Sequence, residues 1–211
     1  TTDPTTLSHE SQENVAFSTK CRLIDALLDL WAHAPADQIS VRALVQRAGA
    51  AQSAIHYHFT DLERLHKRAS TAALESARAW MAAQVSLLDP LAAIPPPPAV
   101  QASLLATIIA DWTEGQRPLA KAWRHAPDRA WQEVWDGFWR DIAQRLGLAP
   151  HADALACFAA GEASRHLLVW NPPLDRALLE ETCAALVGWL DERQIASGPV
   201  RDAFRTLALS S

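Results

Sequence analysis

The chain has 211 residues and a formal net charge of −5 at pH 7, which is enough length for a sizeable core in one large domain or two small coupled ones. Apolar residues make up 49% of it and charged residues 20%, so the composition is globular and excludes disorder along the whole chain. No apolar run approaches the roughly 18 residues that a membrane span needs, and the polar segment 1–14 lacks the pattern of a secretory signal. We therefore expect a cytoplasmic protein with no membrane role.

Cysteine spacing and short motifs exclude several classes of chemical site. Cys21, Cys157 and Cys183 are far apart and lack CxxC spacing, so neither a disulfide framework nor a structural zinc site is expected. The sequence contains no P-loop, GxGxxG, HExxH or GxSxG motif, and we expect no catalytic residue, cofactor or metal. Basic residues outnumber acidic ones by 7 to 5 within residues 18–70, a small excess that permits DNA binding.

Seven glycines, few β-branched runs and abundant Ala, Leu, Glu and Arg favour helix almost everywhere, and we find no period-two strand. The sequence therefore predicts an all-α fold. Apolar periodicity and Pro or Gly punctuation place the helices, in chain order, at about 19–33, 41–47, 52–58, 60–85, 99–114, 118–125, 128–146, 151–170 and 175–193.

Several helix ends carry recognisable signals. Ser40 is a good N-cap for the second helix, and Gly49 interrupts the chain after it. Thr60 and Glu63 have the spacing of a capping box at the start of the fourth helix. The segment 89–98, with five prolines, predicts a stiff, extended connector and is the clearest break in the helical pattern.

Two short helices joined by a turn with Gly and flanked by longer helices have the layout of a helix-turn-helix. The run from Ile39 to Ala50, the segment Ile55-His56-Tyr57-His58-Phe59, and Glu63 with Leu65 resemble the N-terminal domain of TetR-family transcriptional regulators. The resemblance covers about residues 19–68, and beyond residue 70 only the layout is similar.

The resemblance implies a division of labour along the chain: a flexible tail at 1–17, a three-helix DNA-binding domain at 18–66, and a larger helical domain at 67–211 that binds a ligand and dimerises. Most members of the family are repressors that small molecules release from their operators. The implied partners are double-stranded DNA with a palindromic operator, a small-molecule inducer and a second copy of the chain. Two recognition helices about 34 Å apart would read such a palindrome.

The DNA-binding candidates follow from this register. Arg42 corresponds to a position that reaches DNA, although a solvated charge is an equally good interpretation. Recognition-helix candidates are Gln52, Ser53, His56, Tyr57 and His58. At His56 the family often has a phosphate-binding Tyr, Ala51 stands where it usually has a capping Ser or Thr, and Leu62 stands where a Lys often contacts the DNA backbone. We therefore expect an affinity that is modest for the family and strongly salt-dependent.

Eight of the nine tryptophans lie after residue 79, and three of them share one helical stripe. Aromatic walls with a few polar groups are typical of a ligand pocket, which predicts a hydrophobic or aromatic inducer. Candidate ligand-binding residues are Thr107, Trp112, Trp123, Arg124, Trp131, Trp135, Trp139 and His166. A packed core is an equally good interpretation of the tryptophans.

Small residues along the helix at 151–170 and leucines on the helix at 175–193 favour one half of an intermolecular four-helix bundle, with packing inside one chain as the alternative. A competing interpretation of the whole chain is a dimeric helical small-molecule-binding protein or a helical-bundle enzyme. In that case the N-terminal helices would serve packing alone.

Overall fold

A computed structural model describes the backbone over residues 4–34, 38–125, 129–168 and 174–192, and side chains over 18–34, 38–123, 129–166 and 174–190. Within these ranges the chain forms helices and turns without strands, which confirms the all-α prediction. Nine α-helices are described: α1 Pro4–His33, α2 Val41–Ala48, α3 Ser53–Phe59, α4 Leu62–Leu87, α5 Pro98–Ala110, α6 Arg117–His125, α7 Arg129–Arg145, α8 Ala152–Leu168 and α9 Arg176–Glu192. None of the described helices is long and apolar enough to cross a membrane.

The largest differences from the predicted boundaries are at two helix ends. Helix α1 begins at Pro4, in the segment 1–17 where the sequence predicted a flexible tail. Helix α5 ends at Ala110 and passes into a π-helical turn, Asp111–Gly115, where the sequence predicted a continuous α-helix. Such a turn holds one extra residue per hydrogen-bonded loop, so it rotates the side chains that follow.

The chain divides into two compact units. Unit 1 comprises Thr1–Ser76 with Lys121–Ala126, and unit 2 comprises Ala77–Ala120 with Pro127–Ser211. Both sides of the proline-rich segment 89–98 therefore lie in unit 2, and the division in α4 follows Ser76. The predicted division at residues 66/67 stays a prediction.

Unit 1 is built around the apolar stripe of α1. Leu23, Leu27 and Trp31 recur at intervals of four residues, which places them on one helical face, and all three are buried. The side chains that complete this core come from the three following helices: Leu44, Ile55, Phe59, Leu65 and Ala69. Burying one large apolar side chain contributes about 1.5–3 kcal/mol, so this small core provides the main stabilisation of unit 1.

Polar contacts fix the order of the first helices. The Arg47 guanidinium lies 2.7 Å from the Asp29 carboxylate, which joins α2 to α1. The Arg22 guanidinium donates to Thr19 Oγ1 at 3.1 Å and, at 3.5 Å, to the carbonyl of Gly49. These contacts are exposed and each contributes little to stability, but they orient the end of α2 against α1.

Unit 2 packs α5 against α9 and α7 against α8. Gln101 is buried on α5, and its amide Nε2 donates to the carbonyl of Leu146 at 2.8 Å. The proline-rich segment packs in the same unit, with Asp89 accepting from Arg145 at 2.8 Å and Pro96 buried. It contains a 3-10 turn at Asp89–Leu91 before Pro98 starts α5. The predicted connector is therefore partly turned rather than extended throughout.

Candidate nucleic-acid interface

Helix α2 and the turn after it have well-defined ends. Ser40 Oγ accepts from the amide of Ala43 at 3.1 Å, which confirms the predicted N-cap. Gly49 adopts a left-handed conformation, with φ 57° and ψ 41°. Its amide donates to the carbonyl of Gln46, and the amide of Ala50 donates to the carbonyl of Val45. This C-cap terminates α2 and turns the chain toward α3.

Helix α3 presents one face to the core of unit 1 and another to solvent. Ile55 and Phe59, four residues apart, are 3% and 4% exposed. On other sides of the helix Gln52, Ser53 and His56 are exposed, and Tyr57 is 80% exposed. Tyrosine is enriched at interfaces because it combines an apolar ring with a polar hydroxyl, so this exposed side chain suits contact with another molecule.

The start of α3 has no side-chain cap. Its N-cap residue, Gln52, makes no capping hydrogen bond, as expected from the alanine at position 51. The end of α3 is more unusual, since Thr60 has φ 70°, which is strained for a β-branched residue. The Thr60 amide donates to the carbonyl of His56 at 3.2 Å, and His56 Nδ1 lies 2.9 Å from the carbonyl oxygen of Thr60.

The other histidine of α3 has a packing role. His58 is half-buried, and its ring contacts Tyr57 edge-on at 4.8 Å between centroids and Phe59 at 6.4 Å. His58 therefore packs against the rings of Tyr57 and Phe59. Gln52, Ser53 and His56 lie on another exposed side of the helix.

The capping box predicted at Thr60 and Glu63 is wrong. Thr60 serves as the C-cap of α3 instead, and the Asp61 carboxylate accepts from the amide of Arg64 at 2.7 Å. An aspartate one residue after Thr60 caps α4 equally well, and the sequence pattern alone does not separate two adjacent capping residues.

The charges around α2, α3 and the start of α4 favour an anionic partner. Besides Arg47, which pairs with Asp29, four cationic side chains are exposed there, Arg42, Arg64, Lys67 and Arg68, and they outnumber the exposed carboxylates of Asp61 and Glu63. Leu62 is only partly exposed and adds no charge where a lysine would contact a phosphate. The cations at the start of α4 provide other charges near the same helix end, and each that neutralises a phosphate would make binding salt-dependent.

In unit 2 the structure brings several predicted ligand-binding residues together. Trp112, Trp135 and Trp139 are buried. The ring centroid of Trp135 lies 5.6 Å from that of Trp112 and 5.8 Å from that of Trp139. Phe138 packs 5.2 Å from the Trp139 ring. We call this group, together with Trp80, the aromatic cluster. Its rings are in direct contact with one another, as in a packed core.

The structure describes Trp131, Thr107 and Trp123 among the remaining predicted ligand-binding residues. Trp131 is buried on α7, and Thr107 is exposed and donates to the carbonyl of Ser103. Trp123 belongs to unit 1, and the side chain of Arg124 is not among the described residues.

His166, the last of these candidates, lies near charged groups of unit 2. Its Nε2 is 3.8 Å from the Glu162 carboxylate. Burial lowers the pKa of His166, and the neighbouring Arg165 lowers it further, whereas Glu162 and Glu114 raise it. The neutral imidazole is thus favoured beside a carboxylate that Arg165 also contacts at 2.9 Å.

Sequence reasoning missed two features of unit 2. The Trp80 indole N–H donates to the Asp111 carboxylate at 3.1 Å, and the Trp80 ring packs 5.3 Å from that of Trp112. The extra residue of the π-helical turn has no signal in the sequence. A cavity of about 300 Å³ lies between α5 and α9 and not at the aromatic cluster; it is lined by Ala99, Ala102, Ser103, Glu180, Glu181 and Ala184.

Comparisons with known proteins identify the N-terminal part of the chain. Residues 23–69 match the family described as bacterial regulatory proteins, tetR family, which confirms the resemblance predicted from the helix-turn-helix. A comparison with curated proteins gives no match.

One of two similar solved structures shares the fold. A proposed TetR-family transcriptional regulator from Mesorhizobium loti MAFF303099 is 16% identical, with 83% of this chain and 96% of that chain covered and a TM-score of 0.63. A proposed transcriptional regulator from Streptomyces coelicolor A3(2) is 23% identical over 80% of this chain and 98% of that chain, with a TM-score of 0.46. The similarity to the Mesorhizobium structure therefore covers most of the helical fold of this chain and not the helix-turn-helix alone.

Proposed function

We propose that this chain, whose residues 23–69 match the family described as bacterial regulatory proteins, tetR family, is a cytoplasmic, ligand-responsive transcriptional regulator. It binds a palindromic operator as a homodimer, and a hydrophobic or aromatic small molecule releases it, so that it acts as a repressor. The observation that carries this proposal is the exposed face of α3, with Tyr57 80% exposed, on a helix that Ile55 and Phe59 anchor in the core.

The exposed side chains of α3, of α2 and of the start of α4 have the chemistry for a DNA contact. Arg42 at the start of α2 can donate to guanine or phosphate through its planar guanidinium. Gln52, Ser53 and Tyr57 offer an amide and hydroxyls, which contact base edges and phosphates. The four exposed cations of α2 and α4 supply attraction to the DNA backbone that is independent of sequence.

Dimerisation follows from the size of this interface. A helix of seven residues reaches only a few base pairs, so two copies about one helical turn apart are needed for specific binding. The surface that we propose for the partner lies on α8 and α9, where small side chains permit close approach of helices and Leu178 is exposed.

The aromatic cluster supports the proposed class of inducer. The indole N–H groups of Trp112 and Trp139 are buried and have no hydrogen-bond partner among the described residues. A buried, unsatisfied donor destabilises the fold by about 1–3 kcal/mol. An aromatic ligand with a carbonyl or ether oxygen would stack on these rings and accept from one of these donors. Because the rings touch one another, such a ligand enters only when they separate.

The first experiment tests DNA binding. Duplex fragments are selected from random-sequence DNA with the purified chain, and affinity for the selected site is then measured for Tyr57→Ala and Arg42→Ala. We expect each variant to bind about tenfold or more weakly. Arg140→Ala is the matched control, since Arg140 is an exposed arginine on α7 in unit 2 and its loss should leave the affinity unchanged.

Two results would overturn the DNA-binding proposal: no selected sequence under low-salt conditions, or equal affinity for both interface variants and the control. In that case the dimeric small-molecule-binding protein or helical-bundle enzyme becomes the better interpretation. The inducer is tested separately, by titrating aromatic and fatty acids while tryptophan fluorescence and release of the bound duplex are both recorded. A saturable fluorescence change without release would contradict the proposed ligand response.

A further inference from the structure

The contact between His56 and Thr60 restricts what the exposed imidazole of α3 can recognise. His56 Nδ1 lies 2.9 Å from the carbonyl oxygen of Thr60. A carbonyl oxygen only accepts hydrogen bonds, so Nδ1 must carry the proton. In the neutral ring the other nitrogen, Nε2, is then an acceptor with no hydrogen.

The same contact makes this tautomer costly to change. If the proton moved to Nε2, the lone pair of Nδ1 would face the Thr60 oxygen at the same short distance, and the hydrogen bond would become a repulsion between two acceptors. Thr60 also has φ 70°, a strained conformation for a β-branched residue, and its amide donates back to the His56 carbonyl. Two reciprocal hydrogen bonds therefore hold both the end of α3 and the ring of His56.

His56 is placed where its free nitrogen meets a binding partner of α3. It is exposed and follows Gln52 and Ser53 by four and three residues, so the three side chains lie on one side of the helix. Nε2 of His56 has no hydrogen-bond partner within the part of the chain that the structure describes.

An acceptor on this face has few complementary groups in DNA. Phosphate oxygens, guanine N7 and O6, and thymine O4 are themselves acceptors, whereas the donors in the major groove are the amino groups of adenine (N6) and cytosine (N4). We propose that neutral His56 is a specificity-determining residue, which accepts a hydrogen bond at Nε2 from the amino group of an adenine or a cytosine and does not bind phosphate. This inference rests on the proposed DNA-binding function and differs from the phosphate contact typical of a tyrosine at this position.

The key variant is His56→Asn. The asparagine amide nitrogen is attached to Cγ, as Nδ1 is, so it preserves a donor to the Thr60 carbonyl while the ring edge with Nε2 is removed. His33→Asn is the matched control, because His33 is also exposed and its Nδ1 lies 2.8 Å from the carbonyl oxygen of Asp29, at the end of α1. Circular dichroism melting compares the stability of both variants with that of the wild type.

The experiment selects duplexes from random-sequence DNA at pH 8. We expect the wild type to prefer one base pair in one orientation at one position in each half-site, so that its adenine or cytosine amino group faces His56. His56→Asn should lose about tenfold of that preference and keep the other positions, and His33→Asn should select the wild-type sequence. The salt dependence of affinity should be the same for all three proteins, since no phosphate contact is removed.

A base analogue provides a second test that does not depend on the variant folding. In the selected duplex, the adenine is replaced by N6-methyladenine or the cytosine by N4-methylcytosine, in which the methyl group takes the place of the major-groove hydrogen and the base pair is kept. The replacement should weaken wild-type binding about tenfold and leave His56→Asn binding unchanged.

The outcomes separate the two proposals. If the wild type selects no sequence, the DNA-binding function fails and the inference with it. If the wild type selects a sequence that His56→Asn also selects, or if the wild type tolerates the base analogue, the function stands and the role of His56 is refuted. A uniform loss of affinity in His56→Asn with a smaller salt dependence would assign His56 to phosphate and also refute it.

Discussion

Gly49 terminates α2 in a conformation that disfavours every residue with a side chain, so its replacement tests how the turn before α3 is built. Its φ of 57° and ψ of 41° lie in the left-handed region. A Cβ at this position would have Arg22 Nη1, 3.7 Å away, as its nearest neighbour, which is an ordinary contact distance. Gly49→Ala therefore introduces no clash, and its effect comes from the backbone alone.

The expected size of the effect follows from this geometry. An L-residue in the left-handed helical conformation is destabilised by about 1–2 kcal/mol, so Gly49→Ala should lower the free energy of unfolding by that amount. Gly49→Asn should lose less, because asparagine tolerates this conformation better. Gly137→Ala is the matched control: Gly137 lies inside α7, nothing lies within 4 Å of an added Cβ, and the substitution should stabilise by about 0.5–1 kcal/mol.

Urea denaturation followed by circular dichroism measures the three variants against the wild type, and amide hydrogen exchange in α2 and α3 locates the loss. DNA affinity of Gly49→Ala should fall with the population of ordered α3, whereas Gly137→Ala should bind as the wild type does. Equal stability of Gly49→Ala and the wild type would refute the backbone explanation. So would a loss in Gly49→Asn larger than that in Gly49→Ala.

Three further predictions concern local contacts. Asp61→Ala should lower the free energy of unfolding by about 1 kcal/mol because Asp61 caps α4, and Glu63→Ala should lower it much less. Urea denaturation of both variants checks this. A larger loss in Glu63→Ala would support the capping box instead. Burial lowers the pKa of His66 from 6.5, so the unfolded chain binds a proton at His66 more readily than the folded chain does. The contribution of neutral, buried His66 to stability is therefore complete above about pH 6.5 and is lost as the pH falls. This pH dependence of the melting temperature should be weaker in His66→Gln. Burial raises the pKa of the Cys183 thiol to about 12, so iodoacetamide at pH 8 should label the half-exposed Cys21 before Cys183, and mass spectrometry of a time course would show the opposite order if the thiol were accessible.

Local signals in the sequence were sufficient for the helices and for the helix-turn-helix. Ser40 and Gly49 act through atoms a few residues away, so a cap and a left-handed turn are readable from the residue type and its spacing. The stripe of Leu23, Leu27 and Trp31 on α1 predicted a buried face because helical periodicity alone sets it.

The sequence did not distinguish between two adjacent capping residues, and it did not predict the rare π-helical turn. Asp61 rather than Thr60 caps α4 because Thr60 ends α3 in a strained conformation, and two neighbouring capping residues look alike in a pattern. The π-helical turn at Asp111–Gly115 differs from an α-helix by one residue in its hydrogen-bonded loop, a small difference in free energy that the surrounding packing decides.

The amino-acid sequence by itself determined where most of the helices lie and that α2 and α3 form a helix-turn-helix, because these properties depend on neighbours within one or two turns. Only the tertiary structure decided that the Trp80 indole N–H donates to Asp111, that the Trp80 ring packs against Trp112, and that Arg47 pairs with Asp29. These contacts join residues far apart in the chain. Periodicity does not encode distances of this kind, because they result from how whole helices pack and how the turns between them close.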